Sequence, residues 1–199
     1  MTSKAVFLDK DGTLVEDIPY NVDPDLIQLS EGALEGLRLL QKEGYRLIVV
    51  TNQSGIARGY FDEQALIPVK KRLQELLLPA GIHLDGFYHC PHHPQGRVPQ
   101  YAIECSCRKP QPGLIHKAAR EHRVDLACSW LVGDILNDVE AGNRAGCRTV
   151  LIDNGNETEW DLTSLRQPGF IVKNLYEAAL TITRQSLLEQ DLSHGEKEN

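Results

Sequence analysis

Six short apolar runs punctuate the chain: Ala5–Leu8, Leu47–Val50, Phe87–Tyr88, Trp130–Val132, Thr149–Ile152 and Phe170–Val172. Runs this short and uniformly apolar read as buried strands. Between them stand helical patterns. One has Leu34, Leu37 and Leu40 on a single face, with Gly44 as its stop. Another has Leu66, Val69, Leu73, Leu76 and Leu77 facing inward, with Asp62 placed to cap it and Pro68 near its first turn. Further helices are expected over 114–122, over 137–144 and from Leu175. Strands alternating with helices predict an α/β fold in three layers, a parallel sheet covered on both faces. The 199 residues suit one domain, expected over 1–190, with 191–199 as a flexible tail. From Thr13 to Thr51 the chain is consumed by a loop, a helix and a strand, and from Asn52 to Arg108 by one helix and an irregular loop. Neither stretch has room for a large cap domain.

In such sheets, ligands bind beyond the carboxyl ends of the strands. Three polar residues fall there: Asp9, Thr51 and Asp134. The first strand leads into Asp9-Lys10-Asp11-Gly12-Thr13, two carboxylates two residues apart, closed by a glycine that permits a tight turn. Near a strand end, second neighbours share a side, so Asp9 and Asp11 face one small volume. Carboxylates so close repel, and a divalent cation relieves the repulsion. Thr51, with the backbone N–H groups that follow it, is suited to phosphate oxygens. Each of these segments also has a plain reading. The first can be an Asp-Gly turn, Thr51-Asn52 can serve a turn, and Arg108-Lys109 can be solvated cations. Asp134 with Asp138 can be favourable charge at a helix N-terminus.

Jointly and in order, Asp9/Asp11, Thr51, Lys109 and Asp134/Asp138 resemble the four motifs of the haloacid-dehalogenase-like phosphohydrolases, over about residues 5–153. The resemblance implies a Rossmann-like domain and a set of roles. Asp9 would be the nucleophile that forms an aspartyl phosphate. Asp11 would be the acid and base, Thr51 the phosphoryl ligand, and Lys109 a cation that neutralises charge and orients Asp9. Catalytic Mg²⁺ would be held by Asp9, Asp134 and the backbone carbonyl of Asp11, with Asp138 behind them.

Five cysteines, at 90, 105, 107, 128 and 147, are an odd number in a chain whose first residues lead straight into a strand. That argues against a disulfide framework and a signal peptide, and for a cytoplasmic protein. Cys90, His92, Cys105 and Cys107 make a complete tetrahedral zinc set with no open position, so the Zn²⁺ would be structural, ordering a loop over about 88–110. His89 and His93 stand as alternative ligands. Cys128 and Cys147 are expected to be small buried hydrophobes.

The same loop, with Asp17–Tyr20 and TNQSGIARGYF at 51–61, resembles the heptose-bisphosphate phosphatases within that family. Histidinol-phosphate phosphatases share the zinc loop but usually have a shorter gap between its ligand pairs. By this resemblance Asp17, Tyr20, Asn52, Gln53, Ser54 and Arg108 contact a small phosphorylated sugar. One position departs: Ile135 stands where those enzymes often carry a lysine next to the last motif aspartate. Another small-molecule phosphatase is therefore the enzymatic alternative, and a phosphate-binding scaffold without turnover the non-enzymatic one. The four ionic motif residues Asp9, Asp11, Lys109 and Asp134 count against the scaffold. A formal net charge of −7 argues against a nucleic-acid partner, and no apolar run approaches a membrane span. A monomer is the simplest expectation.

Overall fold

The computed structural model describes residues 3–195. Six strands, β1 (Ala5–Leu8), β2 (Arg46–Asn52), β3 (Gly86–Cys90), β4 (Trp130–Gly133), β5 (Arg148–Ile152) and β6 (Phe170–Val172), form one sheet in the order β3-β2-β1-β4-β5-β6. Every neighbouring pair is parallel. The chain winds outward from β1 to β3, then returns to lay β4 on the other side of β1. That reversal makes the β1–β4 edge the topological switch point, where a crevice opens beyond the strands.

Strand residues alternate between two cores, which is why the runs are apolar throughout. Val6, Leu8, Val49 and Val132 pack with α1 (Ala33–Lys42) and α3 (Leu66–Leu77). The same core takes in Ala178 and Ile182 of α6 (Leu175–Gly195). Ala5, Phe7, Ile48 and Leu131 face the opposite way, toward α4 (Gly113–His122) and α5 (Leu136–Ala145). The expected three-layer α/β sandwich is therefore the observed one.

The local differences have local causes. β2 runs through Thr51 and Asn52, pairing Thr51 with His89 of β3, so Thr51 is the end of a strand rather than the start of a loop. The TNQSG segment continues into a one-turn helix, α2 (Gly55–Arg58), closed by Gly59 at φ 76°. Asp62 caps a 3₁₀ turn over Glu63–Ala65, accepting from the Ala65 N–H at 3.1 Å, and α3 starts only at Leu66. Cys147 is buried as expected, but Cys128 is exposed. It lies in the 3₁₀ turn Leu126–Cys128 that carries the chain over the surface into β4. The stretch 191–199, expected to be a tail, overlaps the end of α6, and residues 196–199 lie outside the described residues. Among the described residues no helix is long and apolar enough to cross a membrane.

Candidate active site and metal centre

Register places the first carboxylate. Leu8 pairs with Val49 on one side and Val132 on the other, so Asp9 emerges between β2 and β4 with its N–H on the Val132 carbonyl at 3.0 Å. Asp134 leaves the adjacent β4 at the same level. The backbone then turns at Gly12, with φ 80°. A Cβ at Gly12 would lie 2.1 Å from Asp134 Oδ2, so only glycine lets this turn approach the carboxylate.

Lys109 reaches this point from the loop before α4. It is 3% exposed, and its Nζ lies 2.6 Å from Asp9 Oδ1, 2.6 Å from Asp138 Oδ1 and 3.0 Å from the Val50 carbonyl. Its backbone is held as firmly. Asn52 accepts from the Lys109 N–H at 3.0 Å and donates to the Lys109 carbonyl at 3.1 Å. Burial pulls the ammonium toward losing its proton, but Asp138 and Asp9 together outweigh burial and hold it charged.

Three buried carboxylates around one ammonium leave the cluster short of positive charge. Burial, then Asp9 and Asp138, push the Asp134 carboxyl up to about 8. Burial pushes Asp138 up to about 6 against the pull of Lys109. Asp9, Asp134 and Asp138 offer oxygens within 4.8 Å of one another. Asp138 is engaged by Lys109, while Asp9 and Asp134 line the open cleft, so this pair suits a hard divalent cation. Asp134 is oriented for it: Thr13 Oγ1 donates to Oδ1 at 3.2 Å and Asn156 Nδ2 to Oδ2 at 2.7 Å.

Asp11 faces the same cleft. Burial raises its carboxyl above the ordinary range, although its ion pair with Lys10 pulls the other way. Gln53 donates to Asp11 Oδ2 at 3.2 Å and to Thr51 Oγ1 at 2.9 Å, tying the first two motifs together.

The cleft holds about 280 Å³ and is lined by Asp9, Asp11, Asp17, Thr51, Asn52, Ser54, Arg108, Lys109, Asp134 and Ile135, among others. A contiguous hollow of about 260 Å³ shares Asp11, Asp17, Asn52 and Ser54 and adds Tyr20 and Gln53. All ten residues expected at the catalytic and substrate positions thus lie along one continuous opening. Of the six expected substrate contacts, Asn52 and Gln53 already have their amides engaged, the first on the Lys109 backbone and the second on Asp11 and Thr51.

Sequence reasoning missed Lys10, which is 2% exposed and sits between the two motif aspartates. It also missed the loop after β5. There Asn154 donates to the Gly12 carbonyl at 2.7 Å, Asn156 holds Asp134, and Glu157 accepts from the Leu136 N–H at 2.6 Å. The available signal was position, a polar run leaving the carboxyl end of a strand.

The four sulfur and nitrogen groups of the irregular loop form a second cluster. Cys107 Sγ lies 3.1 Å from Cys90 Sγ, 3.2 Å from Cys105 Sγ and 3.3 Å from His92 Nδ1. Cys90 Sγ lies 3.5 Å from Cys105 Sγ and 3.7 Å from His92 Nδ1. The sulfurs are far too distant for disulfides. With His92 Nδ1 the three sulfurs form a four-group cluster slightly contracted beside the roughly 3.8 Å edge that a tetrahedral Zn–S bond of about 2.3 Å would give. The contact between Cys90 and Cys107 pulls Cys107 down to about 5 and pushes Cys90 up, so the pair shares one proton between its two sulfurs. His89 and His93 face elsewhere. His89 Nε2 meets Glu63 at 2.9 Å, and His93 meets Arg58 at 3.3 Å and the Gln95 N–H at 3.1 Å. The cluster abuts the cleft through Arg108, whose N–H points at Cys105 Sγ at 3.3 Å.

A family model described as HAD-hydrolase-like matches residues 106–178. The D-glycero-beta-D-manno-heptose-1,7-bisphosphate 7-phosphatase of Photorhabdus laumondii is 45% identical over 152 residues, covering 76% of this chain and 81% of its own. The enzyme of the same name from Pasteurella multocida is 40% identical over 173 residues, covering 86% and 92%. Among solved structures, the D,D-heptose 1,7-bisphosphate phosphatase from B. bronchiseptica, complexed with magnesium and phosphate, superposes with a TM-score of 0.79 at 31% identity, over 92% of this chain and 99% of that one.

Proposed function

The chain belongs to the haloacid-dehalogenase-like phosphatases, with the heptose-1,7-bisphosphate 7-phosphatases, and from that premise we propose that it removes the 7-phosphate of D-glycero-D-manno-heptose 1,7-bisphosphate. One observation carries the chemistry: Asp9 stands at the sheet's switch point, pinned through one oxygen by a buried lysine, in a cleft shared with Asp11 and Asp134.

Lys109 fixes the Asp9 carboxylate through one oxygen at 2.6 Å, leaving the other free to attack phosphorus and form an aspartyl phosphate. Thr51 holds the phosphoryl oxygens, while Lys109, its three protons engaged by Asp9, Asp138 and the Val50 carbonyl, orients Asp9 and neutralises charge from behind it. The raised proton affinity of Asp11 suits it to protonate the departing sugar oxygen. Left as a carboxylate, Asp11 takes a proton from water, whose oxygen attacks phosphorus, releasing phosphate and restoring Asp9. Asp9, Asp134 and the Asp11 backbone carbonyl would hold Mg²⁺, which would supply charge neutralisation on the phosphoryl oxygens.

We read Cys90, His92, Cys105 and Cys107 as a closed structural Zn²⁺ site that sets Arg108 and Lys109 at the cleft. Asp17, Tyr20, Asn52, Gln53, Ser54 and Arg108 are read as the substrate side of the opening, and residues 1–190 as one domain acting as a monomer. A cytoplasmic site of action fits a doubly phosphorylated sugar, which does not cross a bilayer unaided, and a cluster of reduced thiols.

Ile135 supports a second reading, since it offers an apolar wall to the cleft. Under that reading a less charged substrate, such as histidinol phosphate, is preferred. Phosphate release with Mg²⁺ from heptose bisphosphate, histidinol phosphate, fructose bisphosphate and acetyl phosphate decides between them. The expected result is the highest kcat/KM for the heptose bisphosphate, with Asp9→Asn reduced to background while remaining folded. A higher kcat/KM for histidinol phosphate overturns the substrate. Turnover by Asp9→Asn overturns the covalent route, and a wild type without turnover returns the chain to a binding role.

A further inference from the structure

Three non-glycine residues of the described chain have positive φ, and one of them, Tyr20 at φ 58°, lines the opening. Tyr20 is the third residue of the turn Ile18-Pro19-Tyr20-Asn21, closed by the Asn21 N–H on the Ile18 carbonyl at 3.0 Å. With proline second and a left-handed residue third, this position favours glycine or asparagine. A bulky ring there is an uncommon and costly choice, and such strain persists only where surrounding structure enforces it.

Burial does not enforce it, because Tyr20 is 48% exposed. The Tyr20 ring meets Tyr60, itself 55% exposed, edge-to-face with centroids 4.8 Å apart and planes at 83°. This geometry is among the favoured aromatic arrangements. Tyr60 is in turn firmly anchored. It follows Gly59, the left-handed stop of α2, and its N–H bonds the Gly55 carbonyl at 2.9 Å. The neighbouring Phe61 ring lies over Gly55, so close that a Cβ there would come within 2.3 Å of it. The anchor for Tyr60 is therefore the same short segment that carries Thr51 and Ser54.

We propose that Tyr60 is a positioning residue for substrate choice: it holds Tyr20 in a strained conformation at the mouth of the cleft, so that the Tyr20 ring packs on the carbon skeleton of a sugar phosphate. The proposal rests on the sugar-phosphatase reading above. Tyr60 touches neither the phosphorus site nor the hollow, and its effect passes through the Tyr20 ring. The phenol oxygen of Tyr60 has no part in it, so phenylalanine suffices at this position.

Steady-state kinetics of Tyr60→Ala, Tyr60→Phe, Tyr20→Ala and the double alanine variant, on heptose bisphosphate and on acetyl phosphate with Mg²⁺, test this. Loss of an edge-to-face contact predicts that Tyr60→Ala raises KM for the bisphosphate by about three- to ten-fold, with kcat within about two-fold. Acetyl phosphate, which has no ring or chain to pack, is affected less than about two-fold. Tyr60→Phe behaves as wild type, and the double variant is no worse than Tyr20→Ala because both act through one ring. An unchanged KM in Tyr60→Ala overturns the proposal, as do parallel losses on both substrates or multiplying losses in the double variant. A wild type that hydrolyses acetyl phosphate but no sugar phosphate overturns the substrate reading and this proposal together. An active wild type with an indifferent Tyr60→Ala overturns this proposal alone.

Discussion

Replacing Lys109 by methionine keeps the side-chain length and removes the charge. The ammonium lies 2.6 Å from Asp9 and 2.6 Å from Asp138, with Asp134 also in the cluster. An ion pair at about 4 Å is worth roughly 4 kcal/mol in an effective dielectric of about 20, so two closer ones exceed about 8 kcal/mol gross. Burying the ammonium cancels several kcal/mol of that, and breaking a buried pair by removing one partner typically costs about 3–5 kcal/mol. The carboxylates recover part of the loss by taking up a proton, which places the expectation near 3 kcal/mol at about pH 8.

The sign with pH follows from Asp138. Its folded carboxyl, at about 6, binds protons more tightly than its ordinary value of 3.8. Its contribution to stability is present below about 4 and is lost as pH climbs through about 6. Without Lys109 that carboxyl rises further, so the variant's deficit is larger at about pH 8 than at about pH 5.5. For a chain of this length, about 3 kcal/mol lowers Tm by roughly 6–12 °C. Thermal and urea unfolding of wild type and Lys109→Met at both pH values, in chelator, is the assay. Equal stability at about pH 8, or a deficit that shrinks as pH rises, would refute the view that this ammonium holds the carboxylates together.

Two further outcomes follow from the metal-binding groups. In the metal-free protein the Asp134 carboxyl, at about 8, keeps its proton below that pH. Mg²⁺ binding should therefore release a proton and tighten by up to about tenfold per pH unit until about 8. Calorimetry in two buffers of different ionisation enthalpy reads that release, and none at about pH 7 would contradict it. The Cys90, His92, Cys105 and Cys107 cluster should carry one Zn²⁺ per chain after purification without added metal, and Cys105→Ser should increase hydrogen exchange in 88–110 more than in the sheet. Elemental analysis giving less than about a tenth of an equivalent of transition metal would rule the zinc site out.

The strands, the three layers and the positions of the motif residues were legible in the chain because buried parallel strands demand unbroken apolar runs. Loops at their carboxyl ends are then where polar residues can gather. Local chemistry also marked Cys90, His92, Cys105 and Cys107, whose spacing has few other uses. It left the choice among three adjacent histidines open, and the fold narrows it by turning His89 toward Glu63 and His93 toward Arg58. Cys128 shows the opposite error, since an isolated cysteine carries no pattern and only the path of the surface turn exposes it.

What no local pattern contains is a contact between distant segments. Lys109 meets Asp9 across 100 residues, Asn156 meets Asp134 from a loop that begins on another strand, and Tyr60 meets Tyr20 across the mouth of the cleft. Periodicity reports which side of an element is buried. It carries no distance between elements, because that depends on strand order, and strand order is set by how the helices cover the sheet. The placement of residues 9, 51 and 134 at strand ends was therefore legible in the chain, whereas the proton affinities of Asp11, Asp134 and Asp138 exist only once folding has removed them from water and set them side by side.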